Sequence, residues 1–243
     1  MNHTENNPNQ RLEEVLKLAA TEPAHRPEFF ALLMEASVWV PGTSTGEQLD
    51  ASTPVDLQHW EKEDGTSIIP FFTSEQALQQ AVTEEQPFLV MPVRTLFAMT
   101  QGETLFLNPK LPVGKEFSPG EISSLLGKEG NALSQQTVLE GGASLLLSEI
   151  AEPPAQTIAS LTELFAKHKQ VRRAWVAHIK EAADAKPNLL IGIEADGDIE
   201  NIIQAAGSVA TDTLLEDEPV DICEVVDNDN ISHFFTAHIT PFY

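Results

Sequence analysis

The stretch Leu57-Gln-His-Trp60-Glu-Lys-Glu-Asp-Gly65-Thr-Ser-Ile-Ile-Pro70-Phe-Phe72 decides the fold class of the first half of the chain. Two strand-like runs, Leu57–Lys62 and Thr66–Phe72, flank Glu63-Asp64-Gly65. Asp-Gly in that position is a strong hairpin signal, because glycine takes positive φ at little steric cost. Downstream, Thr73 is placed to cap a helix, with Gln76 three residues on completing a capping box, and Ala77, Leu78, Ala81 and Val82 continue it. Pro87 precedes a buried strand, Phe88–Met91. Pro92 opens a short helix (Val93, Leu96, Phe97) that Gly102 ends. Thr104–Leu107 reads as a strand stopped by Asn108-Pro109, and Ser118-Pro119 with Glu121 starts a helix ending at Gly127.

Upstream, residues 1–10 hold four Asn and are expected to fray. Leu12, Val15, Leu16 and Ala19 recur at helical spacing. Pro27 suits the first turn of a second helix with Phe30, Leu33 and Met34 as its stripe. Ser37–Val40 is a strand that Pro41-Gly42 should stop, and residues 43–54 read as a surface loop. The resulting order, ααβββαβαβα, describes an α/β domain with a mixed sheet over 11–140.

Residues 128–154 read as weakly structured, with one strand candidate at Leu145–Leu147, and the domain boundary falls there. A second domain, 154–243, begins with a helix at about 154–169 (Ile158, Leu161, Phe165). Strands follow at Arg173–Ile179, Asn188–Glu194 and Val220–Val226. Ile199, Ile202, Ile203 and Ala206 form a helix between the last two, with Asp198 as N-cap and Gly207 as the residue past its end. The pattern αββαβ is that of a small α+β sandwich, so the chain is α/β followed by α+β. The tail 231–243, rich in Phe, is too apolar to be free. It packs on its domain, joins a partner, or starts a further element.

The chain has 243 residues and a formal charge of −23. The last 57 residues hold 12 of the 37 acids and none of the 14 Lys and Arg. Lys167, Lys169, Arg172 and Arg173 form a dense basic cluster just upstream, fit to neutralise that strip within one domain or across a symmetric dimer. Bulk charge argues against nucleic acid and anionic membrane as partners. A single Cys excludes an internal disulfide and a Cys-rich zinc site. No run of about 18 apolar residues and no signal peptide occurs, which points to a cytoplasmic protein.

Motifs for chemistry are missing. Gly127-Lys128 lacks the P-loop's earlier glycine at the right spacing and its hydroxyl residue, and no Gly-x-Gly-x-x-Gly or Gly-x-Ser-x-Gly occurs. The acids of 194–200 do not fit a calcium loop and read as strand end, turn and cap. His233 and His238 are five apart, not four. Cys223 lies in an apolar strand beside Asp221 and Glu224, which disfavour a thiolate. No catalytic, cofactor-binding or metal residue is assigned.

Several blocks carry a resemblance: Trp39-Val-Pro-Gly42, Gly65-Thr-Ser-Ile-Ile-Pro-Phe-Phe-Thr-Ser74, Met91-Pro-Val-Arg94, Pro187-Asn-Leu-Leu-Ile-Gly-Ile-Glu-Ala-Asp-Gly-Asp-Ile-Glu200, Asp221-Ile-Cys223 and Ile231-Ser-His-Phe234. They resemble the enhanced serine sensitivity (SseB) family of enteric bacteria, over both of its domains, from about Leu12 to Tyr243. The resemblance implies a link to serine tolerance and brings no established catalytic residues. It also implies a basic tail beyond Tyr243, where the sequence in hand stops.

Two functional readings follow. The first is a non-enzymatic cytoplasmic protein acting through protein–protein contact, as a homodimer or with another protein. Its candidate surfaces are Lys167, Lys169, Arg172 and Arg173, and the aromatics Phe234, Phe235, Phe242 and Tyr243. The second is a sensor or enzyme binding serine or a related metabolite in an interdomain cleft, with Arg94 or Glu61 nearby. No cofactor is expected in either case.

Overall fold

The structure, a computed structural model, describes residues 8–44, 54–127, 145–182, 184–215, 218–227 and 229–243. The chain divides into two compact units. One takes Met1–Thr21 and Glu28–Ala132, the other Glu22–Pro27 and Leu133–Tyr243. Both mix helices with sheet, so the protein is a two-domain α+β chain.

The N-terminal unit opens with α1 (Gln10–Ala19) and α2 (Arg26–Glu35). The expected stripe of α1 is buried. In α2 the fully buried ring is Phe29, and the Phe30 expected in its place is only partly buried, packed against Phe29 at 5.2 Å. Asn9, placed by sequence in a frayed end, is buried. Its amide donates to the carbonyls of Ser37 (2.7 Å) and Thr73 (2.8 Å).

β1 (Ser37–Ser44) does not stop at Pro41-Gly42. The Pro41 carbonyl accepts from Gln58 N (2.9 Å) and Gly42 N donates to the Pro87 carbonyl (3.0 Å), so the missing proline N–H costs no ladder bond. β1 therefore runs on and pairs with β2 (Val55–Leu57), a strand the sequence reading missed. The remainder of the loop expected at 43–54, residues 45–53, lies outside the described residues.

The expected hairpin is present. β3 (Trp60–Glu61) pairs antiparallel with β4 (Ser67–Phe71) around Gly65 at φ +81°. α3 (Glu75–Ala81) is capped one residue later than expected: the Ser74 hydroxyl accepts from Ala77 N at 3.1 Å. β5 (Phe88–Pro92) is less buried than expected, with Val90 45% exposed. Then come α4 (Val93–Met99), β6 (Leu105–Leu107), an unexpected β7 (Lys115–Phe117) and α5 (Pro119–Leu125). The strands form two sheets, β2-β1-β5 and β3-β4-β6-β7, joined by a bridge between Trp39 and Phe72. Only β4 and β6 run parallel, which makes the sheet mixed.

Alternation along β4 and β6 sends side chains to two faces. Ile69, Phe71, Leu105 and Leu107 enter the main core with Phe117 and residues of α1, α2, α4 and α5. Phe72 turns the other way into a small cluster under α3, with Ala77, Leu78 and Ala81.

In the C-terminal unit the sheet starts upstream of residue 154, with β8 (Leu146–Ser148); residues 128–144, expected to be weakly structured, lie outside the described residues. α6 (Ala155–Ala166), β9 (Val171–Lys180), β10 (Asn188–Ala195), α7 (Glu200–Thr213), β11 (Val220–Glu224) and α8 (Asn230–His238) follow. The strand order is β11-β10-β9-β8, with β10 and β11 parallel across the α7 crossover.

Gly207 does not end α7. The helix continues to Thr213 because Val209 and Ala210 are buried beyond it, and their burial outweighs the local glycine penalty of about 1 kcal/mol. Asp198 still accepts from Glu200 N (3.0 Å), but the N-cap position is Ile199. The apolar tail is α8, capped by Asp229, plus an extended end. The Phe242 amide donates to the Ala174 carbonyl (2.9 Å) and the Tyr243 carbonyl accepts from Ala174 N (3.1 Å). Of the three fates open to the tail, it packs on its own unit.

Candidate functional site

In the N-terminal unit, the side of β4 and β6 turned away from the main core is covered by α3 only as far as Ala81. Beyond that helix end a groove of about 870 Å³ opens, lined by Trp60, Glu61, Lys62, Glu63, Asp64, Ile68, Ala81, Val82, Thr83, Gln86, Phe106, Pro109 and Lys110. Its apolar floor follows from strand alternation: Phe106 lies between the core residues Leu105 and Leu107, and Ile68 immediately precedes the core residue Ile69. The hairpin supplies the acidic side.

The rim is fixed by local hydrogen bonds. Asp64 accepts from Thr66 N at 2.9 Å, and this bond, more than the nearby Lys62, holds its carboxyl below the ordinary range. Lys62 Nζ lies 2.8 Å from Glu116 and 3.6 Å from Asp64, and the Glu116 hydrogen bond raises its pKa. Lys110 Nζ stands 4.5 Å over the Trp60 ring.

The loop that carries Lys110 is strained. Asn108 (φ 52°) and Lys110 (φ 63°) are both left-handed, a conformation that Asn tolerates and that costs a residue such as Lys110 about 1–2 kcal/mol. Buried bonds hold it. Asn108 Oδ1 accepts from Thr73 N (3.0 Å), Asn108 Nδ2 donates to the Thr73 hydroxyl (3.2 Å), and that hydroxyl donates to Glu13 (2.7 Å). Strain kept in place by buried partners is characteristic of functional loops. Gln86 Oε1 is buried in the groove wall without a partner among the described residues, an acceptor that lacks a donor.

The groove lining holds no His, Cys or Ser. Cys223 is no substitute. Burial, then Asp229 and Asp221, push its thiol up to about 12, which leaves it protonated. The sequence reading named Asp221 correctly and Glu224 in place of Asp229.

The residues expected to form contact surfaces are placed as follows. Arg172 forms a two-point pair with Asp196, and Arg173 pairs with Glu194 at 2.5 Å while lying 5.0 Å over Trp175. Two of the four cluster residues, Arg172 and Arg173, thus meet the acidic strip within one chain, from β9 to the end of β10 and the residue after it. Lys167 Nζ donates to the Ala24 carbonyl (3.3 Å) and lies 3.9 Å from Glu163, while Lys169 is exposed. Phe235 is fully buried against Trp175, which removes it from any exposed surface. Phe242 and Tyr243 pack on Phe165, and Phe234 is half-buried beside His238. Glu61 lines the groove; Arg94 pairs instead with Glu35 at 3.2 Å.

The groove itself was not foreseen. Its lining comes from four separate segments, so only the hairpin and its aromatic strand could have signalled it.

Among the described residues no helix is long and apolar enough to cross a membrane. The SseB protein N-terminal domain family model matches residues 12–124, and the SseB protein C-terminal domain family model matches 139–243. The chain is 68% identical to Protein SseB of Escherichia coli (strain K12) over 234 residues, 96% of this chain and 91% of that protein. The identity and coverage are the same for Protein SseB of Shigella flexneri. No solved structure matches.

Proposed function

The chain belongs to the SseB family, and from that premise we propose that it works by non-covalent binding of a protein segment in the N-terminal groove, not by catalysis. The groove carries this reading. It joins an apolar floor (Trp60, Ile68, Phe106) to charges of both signs and one unpartnered acceptor, Gln86 Oε1. An extended peptide suits the floor and the rim, with apolar side chains for the one and polar groups for the other. Size also favours it. About 870 Å³ lies in the upper range for ligand clefts, and free serine fills a small part of it. The cytoplasm is the compartment we assign. The net charge of −23 supports a protein partner over nucleic acid.

A displayed library of short peptides, selected on the whole protein, tests this reading. Selected sequences should bind with affinities that fall at least tenfold in Trp60→Ala and Lys110→Ala and hold in Lys169→Ala. Selection without enrichment, or binding indifferent to Trp60, defeats it. A melting shift with serine or a keto acid, lost in the same variants, would favour the metabolite reading instead. A ligand at 100 times its dissociation constant stabilises by about 2.7 kcal/mol, enough to detect.

A further inference from the structure

A second constellation lies wholly in the C-terminal unit, at the short segment Glu22–Pro27. That segment makes a 3-10 turn, Pro23–His25, and buries Ala24 in the core formed with α6 and α7. His25 is thereby fixed with its side chain only 12% exposed, and its Nε2 points at two carboxylates, Glu22 Oε2 at 3.0 Å and Glu163 Oε1 at 3.1 Å. We propose that Glu22, His25 and Glu163 form a binding site for a divalent transition-metal ion of the zinc type.

Three observations carry the proposal. First, one ligand atom from each residue falls in a cluster where all lie within 4.8 Å of one another. Donors held at about 2.0–2.1 Å around a tetrahedral zinc are about 3.3 Å apart, so the imidazole–carboxylate spacings need to open by only a few tenths of an ångström. Second, the proton count does not suit the apo arrangement. Nε2 carries at most one hydrogen, so the two carboxylates that face it have a single N–H to share. Lys167 lies 3.9 Å from Glu163 and also donates to the Ala24 carbonyl. A divalent ion satisfies all three ligands at once. Third, the carboxylates are 43% and 45% exposed, so an ion can enter and keep water in its open positions.

The ligand set selects the metal class. One imidazole with two carboxylates suits zinc, cobalt or nickel, and magnesium and calcium prefer all-oxygen sites. The other ring nitrogen, Nδ1, is buried with no partner, so the site lacks the acceptor that usually backs a metal-bound histidine. That omission lowers affinity by about 10–100-fold relative to a backed site and makes the ion exchangeable.

The test is a titration of the whole protein with ZnCl2 against a coloured chelator, with cobalt(II) absorption as the coordination readout. One equivalent should bind with nitrogen–oxygen coordination, and a large excess of MgCl2 should not displace it. His25→Gln should weaken zinc at least tenfold, as should Glu163→Gln, with far-UV circular dichroism unchanged. Replacing His233 and His238, whose rings lie 6.4 Å apart and offer a competing surface site, should leave it intact. Absence of stoichiometric zinc binding overturns the site, and so does full affinity in either His25→Gln or Glu163→Gln. If His25→Gln unfolds, Glu163→Gln and Glu22→Gln decide the matter in its place.

Discussion

The two units face the same packing problem and solve it differently. Each has a sheet whose first face is buried under long helices, and each must then dispose of the second face. In the C-terminal unit the second face is closed. β10 is buried at every position from Leu189 to Ile193. Leu189, Ile191 and Ile193 face α6 and α7, while Leu190 and Trp175 face α8 through Phe235. In the N-terminal unit the second face is covered by the seven-residue α3 and then left open, with the half-buried Trp60 and Phe106 and the buried Ile68 lining the groove. Apolar surface withheld from a core forgoes about 25 cal/mol per Å², and the binding proposed for the groove would recover part of it.

Removing the closing residue should break this contrast most strongly. Phe235→Ala should cost the C-terminal unit about 3–5 kcal/mol in urea denaturation. Phe106→Ala in the groove should cost the N-terminal unit only about 1–2 kcal/mol, because part of that ring is already in water. A similar loss at both would erase the distinction between a closed and an open face. Gly192→Ala tests the closeness of the seal. Its Cβ would stand 2.6 Å from Phe235 Cε2 and 2.9 Å from Val225 Cγ2, so a cost of about 1–3 kcal/mol is expected. On the open side, Asn108→Ala should cost about 1–3 kcal/mol by stranding Thr73 N and freeing the left-handed loop, and it should also weaken groove binding.

The Cys223 thiol offers a pH test. Its folded pKa, about 12, stands above its ordinary value of 9.0, so the closed unit holds full stability below about pH 9 and loses it as pH rises toward 12. Cys223→Ala should flatten that alkaline limb, and alkylation of the native protein at pH 8 should be much slower than that of an unfolded chain. The smallest effect is expected at Arg173, whose exposed pair with Glu194 should leave the denaturation midpoint unchanged within error when replaced by Ala.

Local chemistry made much of the fold legible. Asp64-Gly65 announced a hairpin, and the apolar run at Asn188–Glu194 announced a strand. Where the reading failed, burial had overridden a local signal. Gly207 says stop, yet Val209 and Ala210 continue the helix. Thr73 and Ser74 both offer a capping hydroxyl, and Thr73 is withdrawn because Asn108 and Glu13 claim it from afar. Lys115-Glu116-Phe117 has one apolar residue, so nothing in it marks β7 except its partner. The groove and the His25 site were less visible still. They join segments distant in sequence, with His25 and Glu163 separated by 138 positions, and no spacing rule reaches so far.

The six-residue excursion at Glu22–Pro27 bears on how the chain is made. During vectorial synthesis α1 and α2 emerge early, but the turn between them has nowhere to dock until α6 and α7 have left the ribosome. Closing so long a loop is entropically slow. Completion of the first-made part thus waits on the last-made. A cut in the 128–144 stretch would not yield two independent halves: a fragment starting there lacks Ala24 for its interior and Arg26 for Asp212 (2.8 Å). Such a fragment should regain cooperative melting when the Glu22–Pro27 peptide is supplied in trans.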